Sequence, residues 1–510
     1  MIGTTIDLKQ IEDLPIGGRD ITQLSFQAPG YNGTWNGLPS IAQGNNIDGV
    51  VGSPSRMKFT GNAAPVVSAR LEDIAEMTVQ TDGLDLDQGF GQAAMQINFI
   101  TRRGTNDYHG RLYEDFRNRD LNANSWSNNG QGISRGPFIL NDFGGSVGGH
   151  IIKDKLFFFA SFSMSKQPGT INASNGVFTS AAQSGNFTYT GTDGVTHTVN
   201  VLSLAHNVNS ALPSTINPVI AGELTAINSS LGSGAVTPSN NPNINYLNWL
   251  QPAPTTNYYP TFRVDDNATD KLRLHIAFNE TKGPIQPAQA AAFLPGSAAA
   301  NEIAGNKFNQ YTASLGIEWT PTTALVNQFK GGFLYNAQWY AYNAAPLYLT
   351  SVGTVNWGFN DVPSGVNGGN MSGQQFNLPI SNYYPVFNAS DSVSWNKGKH
   401  NFKFGASWYR EQDHYWNNPS GFAQYNLGLT NGDPALNAFS NSGTNPTLPN
   451  ASSQALGDAE QLYAILTGRV SGVSGQFGVN PKTGLYNHTL GSTYNLDEVM
   501  QAAGIFAQDS

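Results

Sequence analysis

Short stretches of alternating polar and apolar residues, joined by links that are short and long in turn, constrain this chain more than any other feature of its sequence. In residues 271–279, Leu272, Leu274, Ile276 and Phe278 point one way, while Lys271, Arg273, His275 and Asn279 point the other. That period of two belongs to a strand with one apolar face. Residues 311–319 repeat it, with Tyr311, Ala313, Leu315, Ile317 and Trp319 set against Thr312, Ser314 and Glu318. Residues 402–409 do the same, with Phe402, Phe404, Ala406 and Trp408 against Lys403, Ser407 and Tyr409. Strands are expected at about 108–117, 143–152, 155–164, 259–265, 271–279, 310–319, 324–336, 385–395, 399–411 and 503–510. The links at 153–154, 265–270, 320–323 and 396–398 are short; those at about 118–142, 165–258, 280–309, 337–384 and 412–502 are long. A soluble sandwich has no reason to alternate in this way. A barrel crossing an outer membrane does, because one rim carries tight turns and the other long loops. Segments of about 8 to 12 residues also have the length a tilted spanning strand needs.

Composition supports a chain of many strands. Among 510 residues there are 56 Gly and 27 Pro, and only 12% are charged, which disfavours a helix-rich fold. The formal charge of -9 and the absence of a basic stripe argue against nucleic acid as a partner. No cysteine is present, so disulfides and thiolate metal sites are excluded. The longest apolar run, at about 156–160, falls far short of a membrane helix. A mean hydropathy of -0.31 has the value of a soluble chain, but spanning strands hide lipid-facing residues in every second position. Residues 1–5 lack the basic and apolar regions of a secretory signal, so an outer-membrane chain of this kind is expected to be a piece of a longer protein.

No motif points to catalysis. Gly144-Gly145-Ser146-Val147-Gly148 matches the nucleophile-elbow pattern, but residues 149–154 continue as strand and turn where the elbow needs a helix. Asp82, Asp85 and Asp87 with Gly83 and Gly89 fail the spacing of a calcium loop. His109, His275, His400 and His414 show no metal-ligand spacing and read as polar strand residues. No carboxylate pair stands out, and no catalytic residue, metal or cofactor is expected.

Residues 1–104 have a different texture. A loop at 14–19 leads to a short helix capped by Asp20, with Ile21, Leu24 and Phe26 as a rough apolar face and Pro29-Gly30 as its stop. Residues 45–50 read as a strand and turn with Asp48-Gly49 at the bend. Leu71-Glu72-Asp73-Ile74 leads into a strand ending at Val79. A turn through Gly83, Gly89 and Gly91 follows, then a strand at 94–101 with Met95, Ile97 and Phe99 on one side and Gln96 and Asn98 on the other. The stretch closes on Arg102-Arg103-Gly104.

This order resembles the end of the plug domain in TonB-dependent outer-membrane receptors. The counterparts are residues 71–77 for the family's Ile-Glu-x-Ile-Glu-Val segment, Phe90-Gly91 for its Tyr-Gly turn, and residues 97–104 for its Asn-Ile-Ile-Thr-Lys-x-Gly strand. Where receptors for iron chelates carry Leu-Arg-Gly-Pro, this chain reads Val79-Gln80-Thr81-Asp82-Gly83, which resembles the Oar-like branch. Members of that branch often have a carboxypeptidase-regulatory-like domain ahead of the plug.

The resemblance implies a mainly β chain: a small α+β plug at 1–104, then at 105–510 the N-terminal portion of an antiparallel transmembrane barrel, about ten of about 22 strands. It implies a plug motif of Arg19, Asp48, Gly49, Glu72, Gly91, Asn98, Arg102 and Arg103, with Arg19, Glu72, Arg102 and Arg103 as candidates for buried ion pairs to the barrel wall. Trp319, Trp395, Tyr335, Trp408 and Tyr409 are candidates for an interfacial girdle. The implied function is uptake, across a Gram-negative outer membrane, of a scarce nutrient too large for porins. Extracellular loops and the plug apex would bind it, and the TonB energy-transducing complex and outer-membrane lipid would be the partners. Two rivals stand beside this reading: a non-transporting adhesin or scaffold that binds polymer through its long loops, and a secreted all-β glycan-active enzyme.

Overall fold

The computed structural model describes residues 2–7, 18–32, 34, 37–38, 43–55, 65–82, 95–124, 126, 129, 138–168, 170–252, 254–287, 305–341, 354–356, 380–417, 424–474, 479, 483–485 and 494–509. The chain opens with β1 (Ile2–Asp7), β2 (Gln43–Ile47), β3 (Val50–Val51), β4 (Ile74–Asp82) and β5 (Met95–Thr101). Three long strands follow, β6 (His109–Asn118), β7 (Ile139–Ile152) and β8 (Leu156–Gln167). Then come β9 (Thr170–Phe178), β10 (Asn186–Thr190), β11 (Thr196–Asn200), α1 (Val201–Val208), α2 (Pro218–Ser230), β12 (Ala235–Pro238) and β13 (Ile244–Pro252). Long strands resume with β14 (Thr255–Thr269), β15 (Leu272–Pro287), β16 (Gly305–Thr322) and β17 (Leu325–Ala341). Short β18 (Thr354–Asn356) and β19 (Ile380–Tyr383) precede β20 (Val386–Lys397) and β21 (His400–Asn417). The chain ends with β22 (Gln424–Leu427), α3 (Ser453–Thr467), β23 (Val470–Ser474) and β24 (Tyr494–Asp509).

The first five strands pair in the order β1-β4-β5-β2-β3, with β2 and β5 parallel and the rest antiparallel. Alternation gives this sheet two different faces. Met77, Val79, Ile97, Phe99 and Ile47 lie on the apolar face and pack on Ile21 and Leu24 of the turn of 3-10 helix Ile21–Gln27. Thr78, Asn98 and Asn46, in register across β4, β5 and β2, lie on the polar face. Asp20 caps the helix by accepting from Thr22 N at 2.9 Å. Phe26, expected on the apolar face, is exposed and sits against Tyr31, because a period of three keeps Ile21 and Leu24 together and leaves Phe26 off their side.

The long strands make one antiparallel wall, β6-β7-β8-β14-β15-β16-β17-β20-β21-β24. β19 joins it above β20, and the two form one run broken at Tyr384-Pro385, where Pro385 has no amide to give the ladder. All ten expected strands are present, and most are longer than the periodicity indicated: β15 extends to Pro287 and β16 begins at Gly305. Among the described residues, β6 pairs only with β7 and β24 only with β21. Ser146 lies mid-strand in β7, with strand on both sides, so the elbow pattern has no elbow.

Outward residues of the wall are apolar and exposed, as at Ile276, Leu315, Trp319 and Phe404. Inward ones, such as Thr312, Ser314 and Asn336, are polar and buried under the N-terminal unit. Toward one rim the Phe278, Tyr311, Tyr335 and Tyr383 rings run side by side at 4.7 to 5.5 Å. Trp395 and Phe402 meet at 5.7 Å toward the other. From Tyr311 to Trp319 along β16 is eight residues (319 minus 311), or roughly 26 Å of strand at about 3.3 Å each, the scale of an apolar membrane band once tilt is allowed for. Tyr409 is no part of this girdle. It turns inward into the core of the N-terminal unit and donates to Glu411.

Two of the expected long loops, 165–258 and 412–502, are largely regular structure. β9 and β13 continue the β8–β14 pair beyond the rim and carry α1 and α2. α3 from the other link packs between them in a single apolar core that includes Val201, Leu224, Leu247, Leu462 and Ile465. Asn217 N donates to Leu466 O at 2.8 Å, and Tyr463 donates to Pro213 O at 3.2 Å, so two links far apart in sequence form one cap.

Candidate functional site: the seam between the N-terminal sheet and the wall

The seam is anchored at the β2–β3 turn. Asp48 and Gly49 both have positive φ, 49° and 83°, the geometry of a tight hairpin that favours an Asp-Gly pair. The turn presents the Asp48 carboxylate to Thr101, whose amide donates to it at 2.9 Å and whose hydroxyl donates at 2.5 Å. From the wall, Arg263 of β14 donates to the same carboxylate at 3.2 Å and to Thr101 O at 3.1 Å, while Asp265 holds its other nitrogens at 2.8 and 2.9 Å. A few residues on, Asn388 of β20 accepts from Val51 N at 3.1 Å and donates to Gly49 O at 2.8 Å, and Glu411 accepts from Ser55 N at 2.9 Å.

A second cluster gathers about residues 19 and 70–73. Arg19 binds Glu72 within the unit and reaches Asp115 of β6 at 2.5 Å, with its guanidinium 3.8 Å over the Tyr113 ring. Arg70, with 2% of its side chain exposed, bonds Asp142 of β7 at 2.5 Å, and Asp142 is 4% exposed. Arg70 also lies 4.4 Å over Tyr259 and donates to Gly18 O at 3.1 Å. Tyr113 completes the set by donating to Asp142 at 3.0 Å. For both arginines burial lowers the pKa, but the carboxylates more than offset it, so each is held above its ordinary value. Asp73 behaves differently. Complete burial pushes its carboxyl up to about 6, against the opposing pull of the Ser161 and Thr261 hydroxyls and of Arg70. Ser161 of β8 donates to it directly.

The motif residues therefore divide. Arg19, Glu72, Asp48 and Gly49 lie on the seam. Arg102 donates to Leu71 O at 3.1 Å and Ile74 O at 3.3 Å within its own unit. Asn98, which accepts from Asn46 at 3.2 Å, and Arg103 line a cavity of about 1070 Å³ between the sheet's polar face and the wall. Gly91 lies outside the described residues. Sequence reasoning missed Arg70, Asp73, Asp142, Arg263, Asn388 and Glu411. Each wall member occupies an inward position of an alternating strand, which is a signal, but one shared by every other inward residue.

A family model described as an outer membrane beta barrel domain matches residues 100–510, and the chain belongs to that family. This places it in the outer membrane of a Gram-negative bacterium. The build, a small α+β unit seated against an antiparallel barrel wall, is that of a TonB-dependent receptor of the Oar-like kind. The TonB-dependent transporter Oar of Myxococcus xanthus is 29% identical over 181 residues, 32% of this chain and 16% of the relative. Among solved structures, the outer membrane transporter YddB from Escherichia coli has a TM-score of 0.49 at 10% identity, over 84% of this chain and 50% of that one. The siderophore receptor PirA from Acinetobacter baumannii has a TM-score of 0.46 at 15% identity, over 82% and 49%. The chain spans about half the length of these structures and less of the curated relative.

Proposed function

We propose that the chain takes part in TonB-dependent uptake of a large solute, with the N-terminal unit as a plug at 1–104 that gates the lumen and the wall from 105 onward completed by further strands. On this reading the short-turn rim faces the periplasm. The cap and long links face outward and first meet the solute, and TonB, driven by the inner-membrane proton gradient, displaces the plug. The observation that carries the reading is the chemistry of the seam. Among the described residues, Leu334, Val386 and Tyr409 are the wall's members of the plug's apolar core, and the other ties named above are hydrogen bonds, ion pairs and cation–π contacts. Polar ties of this kind can be exchanged for water, so a pulled plug leaves without tearing a fused hydrophobic core.

The chain has no native cysteine, so a single one reports plug movement cleanly. Thr312→Cys, at an inward wall position 1% exposed, is to be labelled with a maleimide in living cells carrying the receptor. Labelling is expected to rise several-fold when cells are energised and TonB is present, and to return to baseline with a proton uncoupler. Labelling indifferent to both would favour the adhesin or scaffold reading.

A further inference from the structure

The cavity of about 1070 Å³ lies on the polar face of the plug sheet and takes in Asn106 and Asn267, which lie close to the short links of the wall. Its floor is the row Thr78, Asn98 and Asn46, side chains that both donate and accept. Four cations line it, Arg103, Arg263, Arg273 and Lys330, with three acids, Asp48, Asp265 and Glu318. Arg263 is clamped by Asp48 and Asp265, and Arg273 stands 3.4 Å from Glu318. Arg103 and Lys330 have no acidic partner among the described residues. Both flank the same turn. A Cβ on Gly49 would sit 3.2 Å from the Lys330 stem, and Arg103 is two residues beyond Thr101, which is bonded to Asp48. Two unpaired cations beside an amide floor, in a chain of net charge -9, mark a place built for an anion with polar neighbours.

We propose that this cavity is a binding site for a polar solute bearing an oxyanion, a carboxylate or a phosphate, held by Arg103 and Lys330 with its uncharged polar groups on Asn46, Asn98 and Thr78. It lies past the plug from the cap, so on the transport reading it receives the solute on the periplasmic side.

The test is calorimetric titration of the detergent-purified protein with citrate, inorganic phosphate and, as a neutral control, maltotriose. Citrate or phosphate binding is expected, weakened about tenfold (about 1.4 kcal/mol) by Arg103→Gln or Lys330→Gln, lost when both are changed, and restored by Arg103→Lys with Lys330→Arg. Binding of citrate alone assigns a carboxylate, of phosphate alone a phosphate, and of both a site selective only for charge. Should the glutamine variants misfold, Asn98→Cys in an otherwise unchanged chain takes their place, and citrate or phosphate should slow its reaction with a maleimide. No binding by either anion, equal binding in the double glutamine variant, equal binding of maltotriose, or unprotected Cys at 98 overturns the site. The titration needs neither TonB nor a proton gradient. Anion binding without energy-dependent labelling at residue 312 would sink the transport reading alone, and the reverse would sink this site alone.

Discussion

Arg70 and Asp142 offer the sharpest test of how the plug is held. Both are almost fully buried, they bond at 2.5 Å across the seam, and each has few other ways to satisfy its charge. Removing one partner of such a pair leaves an uncompensated buried charge, at a cost of about 3 to 5 kcal/mol. At 1.36 kcal/mol per decade that is roughly a hundredfold to several thousandfold in the equilibrium between seated and unseated plug. The assay is the maleimide labelling rate of Thr312→Cys in the purified protein, at reagent concentrations where reclosing is faster than labelling, so that the rate follows the opening equilibrium. Arg70→Met and Asp142→Asn should each speed labelling by at least a hundredfold. The double variant should fall well below the product of the two, because with both charges gone no buried charge is stranded. Acceleration under threefold in Arg70→Met, or a double variant equal to the product of the singles, would mean that this pair does not hold the plug.

Asp73 makes the seam sensitive to pH. Its carboxyl is protonated up to about pH 6 in the folded chain but only to about 3.8 when unfolded, so between those values the folded state binds the extra proton and stability falls as pH rises. The contribution, on the order of 3 kcal/mol over a shift of about two units, is fully present below about pH 4 and gone above about pH 6. Labelling at residue 312, corrected against an exposed cysteine, should therefore be slower at pH 5 than at pH 7.5, and Asp73→Asn should flatten the difference; a slope of the opposite sign would contradict the assignment. In the cap, Leu466→Ala removes a fully buried side chain from the core shared by the two links and should cost about 2 to 5 kcal/mol. Protease added to intact cells should then cut at about residues 209–217 while the wall resists, and an unchanged digestion pattern would mean that the two links are not one folded body.

Legibility from sequence followed the range of the physics. N-cap and terminus signals for the cap helices were present, Asn217-Pro218 opening α2 and Ser452 and Gly468 bounding α3, but they sat in stretches so rich in Asn, Ser and Gly that the links read as loops. The apolar residues of the two links form one core, and the packing of one link on the other shows why Val201, Leu224 and Ile465 are apolar. The candidate site was half visible for a similar reason. Glu72 and Arg19 belong to a motif that can be recognised, whereas Arg70 and Asp73, in the same stretch, carry no mark that separates them from solvated charges.

Where the wall strands lie, which of their faces meets lipid, and that Asp48-Gly49 makes a turn are all written in short stretches of the chain. Each of these is set by the backbone's period of two or by the φ preference of one or two residues, and neighbours in the chain are enough to encode it. It took the folded molecule to show that Arg263 closes on Asp48 across 215 residues, that Arg70 finds Asp142, that Tyr409 turns inward, and that Arg103 and Lys330 line one cavity beside the same turn. Those pairings depend on how far the wall curves and which strands it brings against the plug, a property of the whole sheet that no local window of sequence contains.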